Sequence, residues 1–334
     1  MNMIYIGIDV SKNTFDVAIV DNNKITNKQF NNAADGFKLL LNEVGLIISN
    51  KNDALDRSDQ LFTMEATGIY SLELAKYIYK HKQQVIVVNP IKTHAFMKME
   101  MSRNKTDKAD SVAIAKYSKY LVDNGDFEKF LFTPKSDTFE ALQFLVTRLD
   151  QLSNNKTREV NRLGASINKS VTRSLKRSIK SIDGEIVKIK QEVTKVIEKD
   201  KDLKEDIELL ESINGIGLMT AYSILAYIGD MSLFSNSKQI TSYAGLNPSI
   251  EQSGTSINRS SLSKLGNRRL RKALYMPAVT AIRYNPVLKK MYNKLLAKGK
   301  AKKLAIAAVM RKLLVLAYGV LKSREPFDPN YCGT

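Results

Sequence analysis

The sequence predicts an α/β domain at the N-terminus, a long helical segment after it, and a mostly α-helical C-terminal domain. Residues 1–134 alternate β-branched runs with amphipathic stretches, which is typical of strands and helices in turn. Residues 135–204 contain no proline and only two glycines, Gly164 and Gly184, as expected of long helices. Net charge rises from +1 over residues 1–134 to +11 over residues 205–334. A chain of 334 residues is also long for a single core.

The N-terminal elements follow from hydrophobic periodicity. Helical stripes and β-branched runs are separated by short polar turns and one longer polar stretch. Strands are expected at residues 4–10, 14–20, around 28–30, 61–65 and 84–88, and helices at residues 33–49 and 71–81. This order of elements, with three strands followed by a helix, a strand, a helix and a strand, is typical of an RNase H-like (RuvC-like) α/β domain. We predict that domain for residues 1–134.

The middle segment carries apolar residues at helical spacing. They are Leu142, Leu145, Leu149, Leu152, Ile182, Ile186, Ile189, Val193 and Ile197. This pattern predicts a two-helix hairpin or coiled-coil connector over residues 135–204 that breaks near Asp183 and Gly184. A plain spacer is the preferred interpretation, and a role in dimerisation or RNA binding is the alternative.

The C-terminal domain, predicted for residues 205–324, begins with a helix-hairpin-helix-like pattern. Gly215 and Gly217 would let the backbone approach a phosphate at the start of the next helix. Mostly helical sequence continues to about Ser323, and residues 325–334 are expected to be a loose tail.

The charge distribution indicates a polyanionic partner. Between Gln252 and Arg324 there are 18 basic residues and no acidic one. Since a solvated surface usually mixes both signs, such a run favours nucleic acid, whose phosphates gain affinity from each lysine or arginine. A ribosomal-type or membrane-surface basic face is the alternative.

Four acids stand out by their position. Asp9 ends the first predicted strand, Glu65 ends a strand expected beside it, and Asp107 and Asp110 lie one helical turn apart. Carboxylates brought together from separate elements can hold two Mg²⁺ ions for phosphoryl transfer. Taken singly, Asp9 could be a turn residue, and Asp107 and Asp110 could belong to a solvated helix face.

Other classes of site are disfavoured. A lone cysteine, Cys332, and two histidines, His81 and His94, cannot build a disulfide or a zinc cluster. The N-terminus lacks signal-peptide features, and no apolar run approaches the roughly 18 to 20 residues that span a bilayer, so a cytoplasmic protein is expected. The segment from Gly7 to Lys12 could instead be the phosphate hairpin of a sugar-kinase or actin-like ATPase, but no second glycine-rich loop follows.

Several motifs occur in a fixed order along almost the whole chain. They are GIDVSK at 7–12, MEATG at 64–68, RNKTDKAD at 103–110, SYAGLNP at 242–248, QSG at 252–254, LSKLGNRRLR at 262–271, KGK at 298–300, and Ala305, Ala308, Arg311, Lys312 and Leu313. Together they resemble the DEDD-type insertion-sequence transposases, a family described as bridge-RNA-guided serine recombinases.

The resemblance implies roles for particular residues. Asp9, Glu65, Asp107 and Asp110 match the four acids that bind magnesium in the family's RuvC-like domain. Ser253 matches the serine that attacks DNA and forms a covalent intermediate. An element-encoded RNA would pair with donor and target DNA, so sequence choice would be delegated to base pairing. A bacterial protein at the nucleoid is implied.

The serine assignment rests on that match. Members often carry Ser-Ser-Gly where this chain has Gln252-Ser253-Gly254, and spacing alone does not separate Ser253 from the nearby serines, Ser256, Ser260, Ser261 and Ser263. No histidine lies nearby, so the metal of the acidic site is expected to activate the serine. Bringing both together across a long connector favours a homodimer or homotetramer.

Phosphate contacts are expected from basic residues near these motifs, with generic surface charge as the alternative. They are Lys105, Lys108, Arg259, Lys264, Arg268, Arg269, Arg271 and Lys272. Two competing functions remain open: a RuvC-like metal-dependent nuclease or junction resolvase without serine chemistry, and a non-catalytic nucleic-acid-binding protein.

Overall fold

The structure is a computed structural model that describes residues 3–22, 24–49, 60–100, 106–125, 127–253 and 257–329. The chain divides into two compact units, Met1–Pro134 and Lys135–Thr334. The side chains outside this description include those of Asp107 and Ser253, whose backbone is described.

The N-terminal unit is a five-stranded mixed sheet with helices. Its strands are β1 (Ile4–Val10), β2 (Thr14–Asp21), β3 (Lys24–Asn31), β4 (Gln60–Glu65) and β5 (Gln84–Val88), and its helices are α1 (Ala34–Ser49), α2 (Ile69–Lys80), α3 (Pro90–Met99) and α4 (Asp107–Asp123). The strand order is β3-β2-β1-β4-β5. β1 pairs antiparallel with β2 and parallel with β4, so it is a central strand. The predicted order of β1 to β5, α1 and α2 is confirmed, whereas α3 was not predicted.

Two layers cover the sheet. The even-numbered residues of β1 point into an apolar core with α1 and α2, which includes Ile6, Phe37 and Leu74. The opposite face of the sheet packs against α4, where Thr63 donates a hydrogen bond to Ser118 at 2.9 Å between oxygens. β1 is therefore buried on both sides, which explains its nearly continuous apolar sequence.

The C-terminal unit is mostly helical. Its helices are α5 (Asp137–Gly164), α6 (Lys169–Glu198), α7 (Lys201–Glu211), α8 (Leu218–Ile228), α9 (Ser237–Tyr243), α10 (Arg268–Tyr284), α11 (Pro286–Ala297) and α12 (Lys302–Ser323). Its core contains the N-terminal part of α5 and the C-terminal part of α6 together with the later helices. The helical hairpin formed by α5 and α6 is therefore packed into this unit.

The structure differs in four places from what the sequence alone indicates for this unit. The helical hairpin turns between Gly164 and Lys169, where Asn168 caps α6, whereas Gly184 lies inside α6. A two-stranded hairpin, β6 (Pro248–Ser253) and β7 (Ile257–Leu262), interrupts the helices. The start of the tail, which was expected to be loose, is held to the helices, because the backbone N–H of Phe327 donates a hydrogen bond to Ser212 Oγ at 2.8 Å. α12, although half buried in the core, is long and apolar enough to cross a membrane.

Candidate active site and nucleic-acid-binding surfaces

Asp9 and Glu65 lie side by side at one edge of the sheet. β1 and β4 run parallel with Ile8 opposite Met64, so the next residues, Asp9 and Glu65, sit at neighbouring strand ends. Successive side chains alternate across a strand, and both acids share the face of Gly7 and Thr63. Both are partly exposed. The two carboxylates are thus available to solvent at the carboxyl ends of adjacent parallel strands.

Gly7 brings α4 onto this face. A Cβ at Gly7 would lie 2.1 Å from the carbonyl oxygen of Ser111 and 2.3 Å from the backbone nitrogen of Ala115. These are backbone atoms, which cannot rotate away as a side chain could. Only glycine permits this approach. The helix that carries Asp107 and Asp110 therefore lies directly against the strand that carries Asp9.

α4 runs antiparallel to β1. Its C-terminal end lies beside Tyr5: burial raises the pKa of Tyr5, and the nearby Asp123 carboxylate raises it further. Its earlier residue Ser111 lies beside Gly7, two residues along the strand. The first turn of α4 therefore lies towards Asp9. The sequence placed these acids on one helix, but only packing decides which end of that helix meets the strand.

The first turn of α4 is fixed by a capping residue. The Thr106 hydroxyl accepts a hydrogen bond from the Ala109 N–H at 3.2 Å, and the Asp110 N–H bonds the Thr106 carbonyl at 2.8 Å. Asp107 is the first residue of the helix and Asp110 is partly exposed. An N-terminal helix turn is favourable for carboxylates because of its positive end.

The Glu65 carboxylate is oriented by α3. The Thr93 hydroxyl is within hydrogen-bond distance of Glu65 Oε1 and lies 3.0 Å from the Pro90 carbonyl oxygen. Thr93 is 1% exposed, and Asn89 caps the helix by accepting from the Ile91 N–H. A buried hydroxyl on a capped helix holds the glutamate in one direction.

Sequence reasoning missed Asp16. It lies directly opposite Asp9 in the antiparallel pairing of β1 and β2, is 7% exposed, and accepts a hydrogen bond from Gln29 at 2.9 Å. Opposed residues in a sheet share a face, so Asp16 belongs to the same side as Asp9. The signal was an aspartate within the otherwise apolar run from Phe15 to Val20.

The donor chemistry of this edge suits a hard divalent cation. Asp9, Glu65 and Asp110 offer only carboxylate oxygens, which Mg²⁺ prefers over nitrogen or sulfur ligands. Within the side chains that the structure describes, no three His, Cys, Asp or Glu residues form a ready metal-binding group. The carboxylate of Asp107, the fourth predicted ligand, lies outside those side chains.

Ser253 ends strand β6. It pairs in register with Ile257 of β7, and Glu251 pairs with Arg259. The side chains of Ser253, Arg259 and Ser260 lie outside the description, as does Ser256 altogether. Ser261 is exposed, while the Ser263 hydroxyl accepts from the Leu265 N–H at 3.3 Å. The structure thus places Ser253 at the far end of a hairpin.

The base of this hairpin is tied to the helices beside it. The Ser263 N–H bonds the Asn247 carbonyl at 2.9 Å, and the Asn267 N–H bonds the Tyr243 carbonyl at 2.8 Å. Arg271 donates from Nη1 to the Ala244 carbonyl at 2.9 Å. Burial and the neighbouring Arg268 lower the pKa of Arg271. Arg271, predicted to contact phosphate, therefore has a structural bond that ties α10 to the end of α9.

The other residues predicted to contact phosphate differ in whether their side chains already have a partner within the protein. Arg269 donates to the Thr147 hydroxyl at 2.8 Å, and Lys272 forms an ion pair with Asp150 at 2.5 Å, so both tie α10 to α5. The side chains of Lys264 and Arg268 are exposed and form no hydrogen bond or ion pair with the described part of the chain. Lys108 is exposed on α4, and Lys105 lies outside the described residues.

Replacing Arg268 by alanine is expected to weaken duplex DNA binding and to lower the slope of log affinity against log salt by about 1, because one phosphate contact is lost. Arg269→Ala should change that slope less, since its guanidinium is already bound to Thr147. Titrations at several salt concentrations measure both. Equal slopes for wild type and Arg268→Ala would contradict the assignment.

The two glycines that predict a helix-hairpin-helix-like element differ in their surroundings. Gly215 has a φ of +113°, and a Cβ there would lie 2.5 Å from Cβ of Ala281 in α10. Its lack of a side chain therefore serves packing between helices. Gly217 precedes the N-terminus of α8, and a Cβ there would meet no atom within 4 Å. A phosphate contact at Gly217 stays a prediction.

Comparisons with known proteins give the family. Residues 6–170 match a family model described as "Transposase", and residues 207–293 match one described as "Transposase IS116/IS110/IS902 family". The pilin gene-inverting proteins of Moraxella lacunata and Moraxella bovis are each 35% identical, over 98% of both chains.

A transposase of another insertion sequence is similar over a shorter part of the chain. The transposase for insertion sequence element IS1111A of Coxiella burnetii is 31% identical over 126 residues, which is 37% of this chain and 35% of that protein. The two family models follow one another along the chain, and the similarity to the Moraxella proteins extends over nearly its full length. The chain belongs to the IS116/IS110/IS902 family of transposases, enzymes of DNA recombination.

Proposed function

We propose that this transposase cuts and rejoins DNA through a covalent bond to Ser253, with Mg²⁺ at the edge formed by Asp9, Glu65, Asp107 and Asp110. The observation that carries the proposal is the placement of Asp9 and Glu65 at neighbouring parallel strand ends, with the first turn of α4 towards them. The β3-β2-β1-β4-β5 order, antiparallel and then parallel, supports an RNase H-like (RuvC-like) unit.

The strand exchange conserves bond energy. Ser253 Oγ attacks a DNA phosphorus, a phosphoserine ester forms, and the deoxyribose hydroxyl of the cut strand leaves with a proton. A hydroxyl of the other DNA partner then attacks the same phosphorus and releases the serine, so no ATP is needed. Two Mg²⁺ ions, when bound by the carboxylates, would activate the attacking oxygen and stabilise the leaving one.

Donor and target DNA are the substrates, and an element-encoded bridge RNA is the proposed guide. The basic C-terminal unit, with its 18 cations between Gln252 and Arg324, supports contacts with nucleic-acid backbones. We place the reaction at the bacterial nucleoid. Because the acids and Ser253 belong to separate compact units, pairing of units from two subunits in a dimer or tetramer is part of the proposal.

Inversion of a DNA segment is the second candidate outcome. The observation that favours it is the 35% identity, over 98% of both chains, with proteins named for pilin gene inversion. The same serine chemistry serves either outcome, because the orientation of the two rejoined sites decides between insertion and inversion. Sequencing the recombined junctions separates the two.

The test is a search for a covalent protein–DNA adduct. The gene is expressed with its native flanking DNA, so that any guide RNA is made, and wild type is compared with Ser253→Ala under denaturing conditions. An adduct is expected in wild type and not in Ser253→Ala, because the ester needs the hydroxyl. Ser261→Ala is the control: its serine lies on the partner strand, and its adduct is expected to persist.

Two results would contradict the assignment of Ser253 as the nucleophile. Metal-dependent cleavage by both wild type and Ser253→Ala, without an adduct in either, would leave a RuvC-like nuclease or junction resolvase. An adduct that persists in Ser253→Ala and disappears in Ser261→Ala would move the nucleophile to the other strand. The mass of the assembly in the same reaction tests the oligomer, and a monomer would contradict the pairing of subunits.

A further inference from the structure

The hairpin of α5 and α6 extends beyond the core of its unit. The last buried side chain of α5 is Leu152, the first of α6 after the turn is Val193, and no side chain from 153 to 192 is buried. From Leu152 to the end of α5 the rise of about 1.5 Å per residue gives an extension of about 18 Å. We call residues 153–192 the distal arm. Within the arm, Ile186 and Ile189 are partly buried against the core, and no apolar side chain from 153 to 185 packs there. The rest of the arm needs another reason to project.

One side of the distal arm carries unpaired cations. They are Lys169, Arg173, Lys176, Arg177 and Lys180 of α6, here named the α6 stripe. Their spacing places them on one side of the helix, away from the apolar positions Leu175, Ile179 and Ile182. All five are exposed, and none forms an ion pair or hydrogen bond with the described part of the chain.

The remainder of α6 has the ordinary composition of a solvated helix. Residues 183–198 contain four acids and three lysines, and Lys188 and Lys195 form ion pairs at 2.8 Å with Glu185 and Glu192. Mixed signs with pairs three or four residues apart are typical of exposed helices. Residues 169–182, by contrast, contain five basic residues and no acid, so solvation alone does not account for their composition.

A cleft between the two helices adds further phosphate donors. Arg158 and Arg162 of α5 and Ser178 and Ser181 of α6 line a space of about 430 Å³ in the distal arm. Arg162 is paired with Glu159 at 2.5 Å, whereas Arg158 has no such partner in the described chain. Guanidinium and hydroxyl groups are the side chains that most often contact nucleic-acid backbones.

We propose that the α6 stripe binds the phosphate backbone of duplex DNA beyond the core of the C-terminal unit. The stripe spans about 16 Å from Lys169 to Lys180, and duplex DNA carries one charge per about 1.7 Å of its axis, so several phosphates lie within reach. A second copy of the chain is a poor occupant, because it would bring like charges together. The inference rests on the proposed action on DNA, and it does not depend on Ser253 or on a guide RNA.

The test compares salt dependence of DNA binding for the full-length protein. One variant replaces all five stripe cations by glutamine, a good helix former. The control variant replaces Lys188, Lys190 and Lys195 by glutamine; these lysines lie on the same helix, C-terminal to the stripe. Affinity for a long linear duplex of arbitrary sequence is measured over a series of salt concentrations, and for a duplex RNA of equal length. Circular dichroism verifies that helix content is unchanged.

The stripe variant is expected to lower the slope of log affinity against log salt by about 4.5, since each lost contact accounts for about 0.9. The control variant should keep the wild-type slope on DNA. An unchanged slope in the stripe variant, or a fall seen on RNA and not on DNA, overturns the inference. Failure of wild type to bind duplex DNA overturns the inference as well, whereas the proposed function is decided separately by the adduct test on Ser253, so the two failures are distinguishable.

Discussion

Asp9→Asn is expected to reduce strand cleavage by more than about 100-fold while leaving the fold intact. Loss of a group that only supports a metal ligand costs about 10- to 100-fold, so loss of a ligand itself should cost more. Asparagine keeps the size of aspartate but removes the negative charge that a hard cation requires. The rate is measured on a DNA substrate across a range of Mg²⁺ concentrations.

The proper control for Asp9→Asn is an acid of the same unit that lies elsewhere. Asp35 is exposed in the first turn of α1, and Asp35→Asn should cleave at the wild-type rate. Glu65→Gln should lose cleavage together with Asp9→Asn, because both carboxylates lie at one sheet edge. Wild-type cleavage by Asp9→Asn would rule out a catalytic site at this edge.

Gly7→Val is expected to destabilise the N-terminal unit by about 3 kcal/mol, the upper end of ordinary overpacking costs. The reason is that its Cβ would overlap backbone atoms of Ser111 and Ala115, so α4 must move away from β1. Moving α4 also moves Asp107 and Asp110 away from Asp9, and cleavage should fall even at temperatures where the variant is folded. Thermal unfolding and cleavage of the full-length protein measure the two effects.

Gly45→Ala is the matched control for Gly7→Val. Gly45 lies inside α1 of the same unit, and a Cβ there meets no atom within 4 Å. Alanine is expected to stabilise that helix by up to about 1 kcal/mol without changing cleavage, because it restricts the unfolded chain more than glycine does. If Gly7→Val were as stable and as active as wild type, the close approach of α4 to β1 would be wrong.

Local pattern was sufficient for most of the N-terminal unit. β-branched runs and amphipathic stripes specify strands and helices through short-range effects, and these predictions agree with β1 to β5, α1 and α2. Pattern was insufficient at the α5–α6 turn: Gly184 suggested a break, but a helix tolerates one glycine where its packing continues. The β6–β7 hairpin was missed because its polar sequence has no apolar alternation.

The amino-acid chain alone was enough to indicate the family, the two-part charge distribution, and the acids and the serine that we propose for catalysis. The folded structure was needed to show that Asp16 faces Asp9, that Gly7 admits α4, and that Arg269, Arg271 and Lys272 have partners within the protein while the α6 stripe has none among the described residues. The difference is one of range. Periodicity and composition reflect a residue's neighbours along the chain, whereas register, close approach and ion pairing depend on atoms that meet only after folding.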